Sequence, residues 1–252
     1  MNLRDRIGVD IGSKLPLEEA VEWAARHRVR FIDVQLDTGA NALSTIDEAR
    51  ATTARAACHK RDIRLGLHTA SAVNVAEYAP HVGDAVERYL KAYVDAAVKL
   101  GAGWIVMHAG FHFTSDKEQR MLAGRERLQR VADYAERNGA LILLENLNKE
   151  PEQAEVHYLA HTVEEWRFYF DAILVEALDM DRVEEVRLAD CFRNGHEVHL
   201  PPGKGNLDFG DMFRSIEGNG FRGHYMNAFG SLDDMLQGRD ELVRIAATAG
   251  IA

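Results

Sequence analysis

Several features that define other protein classes are scarce in this sequence. Its 252 residues include two cysteines, Cys58 and Cys191, which form neither a zinc-type Cys-x-x-Cys pair nor a disulfide framework. No apolar run approaches the ~20 residues of a membrane span, and the first residues lead into a short strand rather than a secretory apolar segment. No linker rich in Pro, Gly or Ser divides the chain. We therefore expect a cytoplasmic protein with one domain over residues 1–252 and no membrane partner.

Basic residues are also fewer than acidic residues. The chain has 30 Lys and Arg residues against 40 Asp and Glu residues, which gives a formal net charge of −10. Because phosphate binding needs clustered cations, this balance argues against a surface that binds nucleic acid. A small basic pocket is still compatible with it.

Apolar runs rich in β-branched residues recur along the chain, and helical patterns separate nearly all of them. The seven runs cover residues 6–12, 30–36, 64–70, 103–110, 141–147, 185–192 and 222–230. The helical patterns cover residues 15–27, 44–61, 78–100, 117–138, 162–172, 208–217 and 233–247. Such alternation predicts a parallel sheet closed into a TIM-type (β/α)8 barrel, which typically needs about 250 residues.

One interval is too short for this fold. Only 44 residues separate Leu141 from Glu185, and they hold a loop, a helix and a second helical stretch over 174–181 with no strand between. Strand six of the barrel is therefore missing from this sequence, either truly lost or left out near Ile173. We expect a break in the backbone between Asp171 and Glu176. A seven-stranded or open barrel is the alternative.

Polar side chains stand at the ends of three successive runs: His68, His108 and Glu145. The carboxyl ends of barrel strands gather at one mouth, where active sites of this fold lie. Side chains on neighbouring strand ends should lie within roughly 10 Å, given ~4.8 Å per strand. These three residues are therefore a site hypothesis. A structural salt bridge of Glu145 and two hydrogen-bonded core histidines are the alternatives.

Further candidates lie near other strand ends. His112 follows the run 103–110 and is a candidate for substrate binding, although a surface histidine is equally compatible. Arg187 can hold a carboxylate or phosphate with two hydrogen bonds, or form a salt bridge to Glu145 or Asp190. Asn227 ends the run 222–230 and is a further candidate for substrate binding.

Four segments together resemble a known superfamily. They are Leu-Gly-Leu-His68, Val-Met-His108-Ala-Gly, Leu-Leu-Glu145-Asn146, and the stretch 199–209, which reads His-Leu-Pro-Pro-Gly-Lys-Gly-Asn-Leu-Asp-Phe. The chain resembles the xylose-isomerase-like TIM barrels, which include sugar isomerases and epimerases, inosose dehydratases and the endonuclease IV branch. The resemblance covers nearly the whole chain outside the short interval.

The resemblance implies a divalent metal, Mn, Mg or Zn, at the barrel mouth. Glu145 matches the strand-five glutamate that ligates the metal and, in the isomerases, also transfers protons. His68 and His108 match histidines that bind zinc in the endonuclease branch and more often contact substrate in the isomerases. Glu197 and His199 fall where the endonuclease branch has an Asp-x-His ligand pair.

The sequence also departs from the family pattern. The strand-seven histidine is replaced by Arg187, and the strand-eight glutamate is replaced by Asn227. The strand-six ligands would lie in the segment that the chain lacks. Of the four ligands that the isomerases use, only Glu145 has a match.

The leading functional hypothesis is a sugar isomerase or epimerase that acts on a keto-sugar, polyol or related hydroxy-carbonyl compound by metal-assisted proton abstraction. Glu145 and His108 would be catalytic. Substrate would contact His68, His112, Arg187 and Asn227, and metal ligands would come from Glu145, Glu197 and His199. The alternatives are a dehydratase or lyase, a metal-free relative that binds a small ligand, and a zinc phosphodiesterase. The oligomeric state, including a homo-oligomer, is left open.

Overall fold

A computed structural model describes residues 1–113, 115–170, 180–192 and 199–251. The expected backbone break between Asp171 and Glu176 and the candidate ligand Glu197 lie outside these residues. The helices are α1 Leu3–Arg6, α2 Leu17–Arg26, α3 Glu48–Arg61, α4 Pro80–Leu100, α5 Lys117–Asn138, α6 Val163–Phe170, α7 Phe209–Gly218 and α8 Leu232–Thr248. The strands are β1 Ile7–Gly12, β2 Phe31–Val34, β3 Arg64–His68, β4 Trp104–His108, β5 Phe111–His112, β6 Ile142–Glu145, β7 His157–Tyr158, β8 Glu185–Leu188 and β9 His224–Asn227.

Each apolar run of the sequence contains one parallel strand, and the predicted helices lie between them. Two of the helices end where the sequence predicts because a glycine follows. Gly101 (φ 65°) follows α4 and Gly139 (φ 73°) follows α5, and both adopt the left-handed conformation that closes a helix C-terminus. The alternation of strands and helices thus follows from local patterns.

The chain divides into two compact units. The first comprises residues 1–34, 56–65 and 178–252. Its complete strands pair in parallel in the order β8-β9-β1-β2. Phe213, Phe221 and Tyr225 are fully buried beside the sheet, in a cluster with residues of α1, α7 and α8. This apolar cluster packs α1, α7 and α8 against the strands of the first unit.

The second unit comprises residues 35–55 and 66–177. Its parallel strands follow the order β3-β4-β6. Beyond β4 the chain forms β5, which pairs antiparallel with β7. A small core of Ala76, Ala109, Leu159 and Ala160 lies beneath Trp166 and Tyr169. The candidate residues at the ends of β3, β4 and β6 all belong to this unit.

Two features were not predicted from the sequence. Helix α1 is a single turn, too short to show helical periodicity, and Asn2 caps it by accepting a hydrogen bond from the Asp5 N–H at 2.9 Å. The β5–β7 pair joins two-residue strands that are 45 residues apart in sequence, so no local pattern marks it. Among the described residues, no helix has the length and apolar character needed to cross a bilayer.

Candidate metal and proton-transfer site

His68, His108 and Glu145 share one face of the second unit's sheet because of the strand register. Glu145 pairs with His108, and Val106, two residues before His108, pairs with His68. Alternate residues of a strand point to the same side, so the three side chains project together. One donor atom from each lies within 4.8 Å of the other two. The convergence predicted from the sequence is therefore confirmed, whereas the chemical roles of the three residues stay predictions.

The Glu145 carboxylate is the centre of this cluster. Its Oε2 atom lies 3.1 Å from Nε2 of His68 and 3.1 Å from Nε2 of His108. Both imidazole rings are buried, and they meet edge to face with centroids 5.0 Å apart. The Glu145 side chain is 16% exposed, against 7% for His68 and 8% for His108, so it is the most accessible member of the cluster.

The tautomer of His68 follows from its partners. Nδ1 lies 2.8 Å from the Thr69 carbonyl oxygen, which can only accept, so Nδ1 carries the hydrogen. In the neutral ring, the Nε2 lone pair then points toward the Glu145 carboxylate. Two electron-rich atoms at this distance repel one another unless a proton or a metal ion stands between them. This donor arrangement fits a cation.

His108 is held differently. Its Nε2 faces the same carboxylate oxygen, but its buried Nδ1 has no hydrogen-bond partner among the described residues. Histidines that bind metals usually donate the second ring N–H to an acceptor, which fixes the ring. His108 is thus less constrained than His68. It is able to donate a proton to Glu145 from Nε2 or to present a lone pair there.

The donor set could hold a divalent ion. Two imidazole nitrogens and one carboxylate form a three-ligand set that catalytic zinc sites use, with a position left for water or substrate. A tetrahedral ion with bonds of ~2.1 Å has its ligand atoms ~3.4 Å apart. The observed separations of 3.1 Å between Glu145 and each histidine are close to that spacing, and all three donor atoms lie within 4.8 Å of one another. The residues present therefore fit a metal ion.

A buried hydrogen-bond network lies behind His68. Asp37 accepts from the Tyr89 hydroxyl at 2.5 Å through Oδ1, and its Oδ2 lies 2.8 Å from the Tyr93 hydroxyl. The Tyr89 hydroxyl accepts from the Ala70 N–H at 2.9 Å, and the Tyr93 hydroxyl lies 3.2 Å from the His68 carbonyl oxygen. The network thus contacts the peptide groups on both sides of Thr69, at the His68 carbonyl and the Ala70 N–H.

The sequence did not identify this network as part of the site. Tyr89 and Tyr93 belong to the apolar stripe of α4, which predicts core packing alone. Asp37 follows β2 and carries no motif. The one available signal was the presence of an acidic residue at the end of a strand.

His112 lies on β5, opposite His157 of β7. The two rings stack with centroids 5.4 Å apart, and His112 donates from Nδ1 to the Phe113 carbonyl at 2.7 Å. His112 is buried rather than on the surface. No described donor atom of His112 belongs to the metal-type cluster. Its role in substrate binding stays a prediction.

Arg187 lies in the first unit, in a buried group of charged side chains. Its guanidinium donates to Asp33 Oδ2 at 2.8 Å, to Glu185 Oε1 at 2.7 Å and to Asp10 Oδ2. Glu185 also lies 3.0 Å from Nε2 of His224. The sequence named Glu145 or Asp190 as the salt-bridge partner. Asp190 instead accepts backbone N–H groups, and a pairing of Arg187 with Glu145 stays a prediction. Substrate binding by Arg187 is not tested by this geometry.

Asn227 and His199 also belong to the first unit. Asn227 is fully buried and donates from Nδ2 to the Met235 carbonyl of α8 at 2.6 Å. The ring of His199 stacks on Phe229 with centroids 3.9 Å apart. Neither residue belongs to the metal-type cluster found among the described residues. Their predicted roles, as substrate contact and metal ligand, stay untested.

Asp190 has a structural environment that the sequence did not predict. Its carboxylate is buried and accepts four backbone N–H groups, from Cys191, Gly203, Gly205 and Leu207, at 2.8–3.2 Å. The close approach explains Gly205, since a Cβ there would lie 2.4 Å from Asp190 Oδ1. Asp190 thereby folds the glycine-rich segment back onto the end of β8.

Comparison with known proteins identifies the family of the chain. The profile of the xylose isomerase-like TIM barrel family matches residues 21–229. No curated protein matches the chain.

Solved structures share the fold at low sequence identity. A D-tagatose 3-epimerase-like protein superposes with a TM-score of 0.76 at 15% identity, over 97% of this chain and 98% of that one. The 3-keto-D-glucoside 4-epimerase of E. coli gives a TM-score of 0.70 at 14% identity, over 96% and 99%. The D-psicose 3-epimerase of Clostridium cellulolyticum H10 gives 0.70 at 15% identity, over 97% and 96%. The chain belongs to the xylose isomerase-like TIM barrel family and has its α/β fold.

Proposed function

We propose that this protein is a metal-dependent sugar isomerase or epimerase, acting on a keto-sugar, polyol or related small hydroxy-carbonyl compound. The observation that carries the proposal is the Glu145 carboxylate, placed 3.1 Å from Nε2 of both His68 and His108. Three structural neighbours are described as epimerases or epimerase-like proteins of ketoses or a ketoglucoside, which supports a substrate of this class.

His68, His108 and Glu145 would hold the metal through their Nε2 and carboxylate oxygen atoms. A divalent ion bound there supplies Lewis-acid polarisation of a substrate carbonyl and its neighbouring hydroxyl. Mn, Mg and Zn are the candidates, and the two nitrogen donors favour zinc. Glu197 and His199 stay predictions as further ligands.

Proton transfer would belong to Glu145. The Glu145 carboxylate removes the proton from the carbon next to the carbonyl, and the electron pair of that C–H bond moves toward the carbonyl carbon, while the carbonyl oxygen takes up negative charge. Return of the proton to the neighbouring carbon gives an isomer, and its return to the opposite face gives an epimer. Because His108 would hold the metal through Nε2, the atom that faces Glu145, a separate role for His108 in proton transfer stays a prediction. Loss of a β-hydroxyl instead would make the reaction a dehydration.

Deuterium exchange tests this proposal even when the product of the reaction is unidentified. Metal-free protein is loaded with Mn²⁺, Mg²⁺ or Zn²⁺ and incubated in D₂O with a panel of ketoses and keto-glycosides. We expect NMR to show deuterium entering the carbon next to the carbonyl of at least one compound. Glu145→Gln should abolish the exchange, because the amide cannot accept the proton. Glu155→Gln, which removes an exposed carboxylate from the loop after β6, is the matched control and should retain it. Equal exchange by the Glu145→Gln variant and the wild type would refute the assignment.

A zinc phosphodiesterase is the second candidate. The nitrogen-rich donor set favours it, since two histidines and a glutamate form a hydrolytic zinc site in other enzymes. The net charge of −10 opposes binding to a polyanion. Zinc-loaded protein that cleaves DNA containing an abasic site, but exchanges no ketose proton, would favour this candidate over the first. A cytoplasmic location, the single domain and the absence of membrane and nucleic-acid partners stay predictions.

A further inference from the structure

The network behind His68 acts on one peptide group. The Thr69 carbonyl, which accepts from His68 Nδ1, and the Ala70 N–H, which donates to the Tyr89 hydroxyl, belong to the same peptide bond. A peptide group is planar and trans, so its C=O and N–H point in opposite directions. A hydrogen bond that fixes the N–H therefore also fixes the direction of the carbonyl. Tyr89 accepts from the N–H of this peptide group, and His68 donates to its carbonyl.

Asp37 determines in which direction the Tyr89 hydroxyl donates its hydrogen. Because the hydroxyl donates its only hydrogen to the Asp37 carboxylate at 2.5 Å, its oxygen lone pairs are left to accept from Ala70. Burial and the hydrogen bond to Asp37 raise the pKa of Tyr89 well above its ordinary value, so the hydroxyl keeps its proton. Two further bonds pin the neighbouring backbone. The Thr69 N–H donates to the Val106 carbonyl at 3.0 Å, and Tyr93 lies beside the His68 carbonyl.

The orientation of the Thr69 carbonyl determines which nitrogen of His68 is protonated. While that carbonyl points at Nδ1, the hydrogen stays there and Nε2 presents a lone pair toward Glu145. If the peptide were able to turn, Nδ1 would lose the Thr69 carbonyl as an acceptor. The ring would then protonate Nε2 instead and donate to the carboxylate, and this tautomer cannot bind a metal through Nε2.

We propose that Tyr89, held by Asp37, is a positioning residue that fixes His68 as the Nδ1-protonated tautomer and so keeps the Nε2 lone pair available to a metal. The inference rests on the proposed function for the metal, whereas the tautomer itself is a property of the metal-free protein. The tautomer of His68 and the binding of a metal can therefore be measured separately.

The test uses full-length protein and three variants. Tyr89→Phe removes the hydroxyl and keeps the ring, and Asp37→Asn keeps the shape but removes the charge that orients that hydroxyl. Tyr134→Phe is the matched control, because this half-buried tyrosine of α5 also donates to a carboxylate, that of Asp95, at 2.7 Å. Long-range ¹⁵N–¹H NMR of metal-free protein at about pH 8 reports the tautomer of each histidine. Signals that vanish in a His68→Gln variant identify His68.

We expect His68 to be the Nδ1-protonated tautomer in the wild type and in Tyr134→Phe. In Tyr89→Phe a substantial share of the Nε2-protonated form should appear, and zinc affinity, measured by competition with a chromogenic chelator, should fall about tenfold, as when partners beyond the ligands are removed. Unchanged tautomer and unchanged affinity in Tyr89→Phe would overturn the proposal. Should that variant fail to fold, Asp37→Asn gives the same test with the same two readings. If the tautomer shifts while the wild type binds no zinc, the proposed metal function fails and the positioning role stands.

Discussion

Replacing Arg187 with methionine should destabilise the first unit severely. The arginine side chain is 13% exposed, and its partners Asp33 and Glu185 are 0% and 4% exposed. Methionine keeps most of the aliphatic stem and removes the guanidinium. Three carboxylates would then share a buried region, and His224 would still lie beside one of them, Glu185.

The magnitude follows from that burial. Removing one partner of a buried ion pair costs about 3–5 kcal/mol, because it leaves a buried charge without compensation. Arg187 serves three carboxylates, so we expect a loss at the upper end, about 4–5 kcal/mol of unfolding free energy. Arg214→Met removes an arginine that is 51% exposed and pairs with Asp211 on the surface, and should cost at most about 1 kcal/mol.

Urea denaturation at pH 7 followed by circular dichroism measures both variants. A loss below about 1 kcal/mol in Arg187→Met, or one equal to that of Arg214→Met, would refute the reasoning.

Three further predictions concern stability and reactivity. Burial alone would raise the pKa of Glu165, but hydrogen bonds from Lys117 and His161 lower it below its ordinary value. Its ion pairs therefore stabilise the fold above about pH 5, and this stabilisation is lost as the pH falls through the lowered pKa. Glu165→Gln should lower the free energy of unfolding by about 2 kcal/mol at pH 7 and by little in acid, as urea denaturation would show. Asp190→Asn turns one acceptor oxygen into a donor facing backbone N–H groups, and should cost about 3 kcal/mol and speed amide hydrogen exchange in residues 203–207. Burial raises the pKa of Cys58 to about 11, so iodoacetamide at pH 8 should alkylate Cys191 first, as peptide mass spectrometry would show.

Each of these has a contrary outcome. A stability difference for Glu165→Gln that is the same at pH 7 and in acid would show that its charge contributes nothing. Unchanged exchange in Asp190→Asn would mean that the glycine-rich segment folds without the carboxylate. Equal alkylation rates of the two cysteines would contradict the burial of Cys58.

Local patterns predicted the elements of this fold well. Apolar runs locate β4 and β6, and Gly139 ends α5 at the residue that the sequence indicates. The rule that carboxyl ends of parallel strands gather together was enough to bring His68, His108 and Glu145 into one predicted cluster. This part of the site depends on strand position alone, which the sequence encodes locally.

The rest depends on pairings between distant residues. Arg187 contacts Asp10 and Asp33, which lie more than 150 residues away, so no local pattern in the sequence indicates these two partners. The hydrogen bond from the Ala70 N–H to Tyr89 depends on how a single peptide group is oriented, and no periodicity in the sequence encodes that orientation. The predicted loss of strand six falls on residues outside those described.

Titration of metal-free protein with Zn²⁺ and Mn²⁺ in a calorimeter tests the central claim most directly. The account predicts one ion per chain in the wild type, with binding lost in His108→Gln, which removes one of the two imidazole ligands. His157→Gln, which removes a histidine outside the cluster, should bind as the wild type does. Absence of binding in the wild type, or equal binding by His108→Gln, would contradict a metal centre at His68, His108 and Glu145.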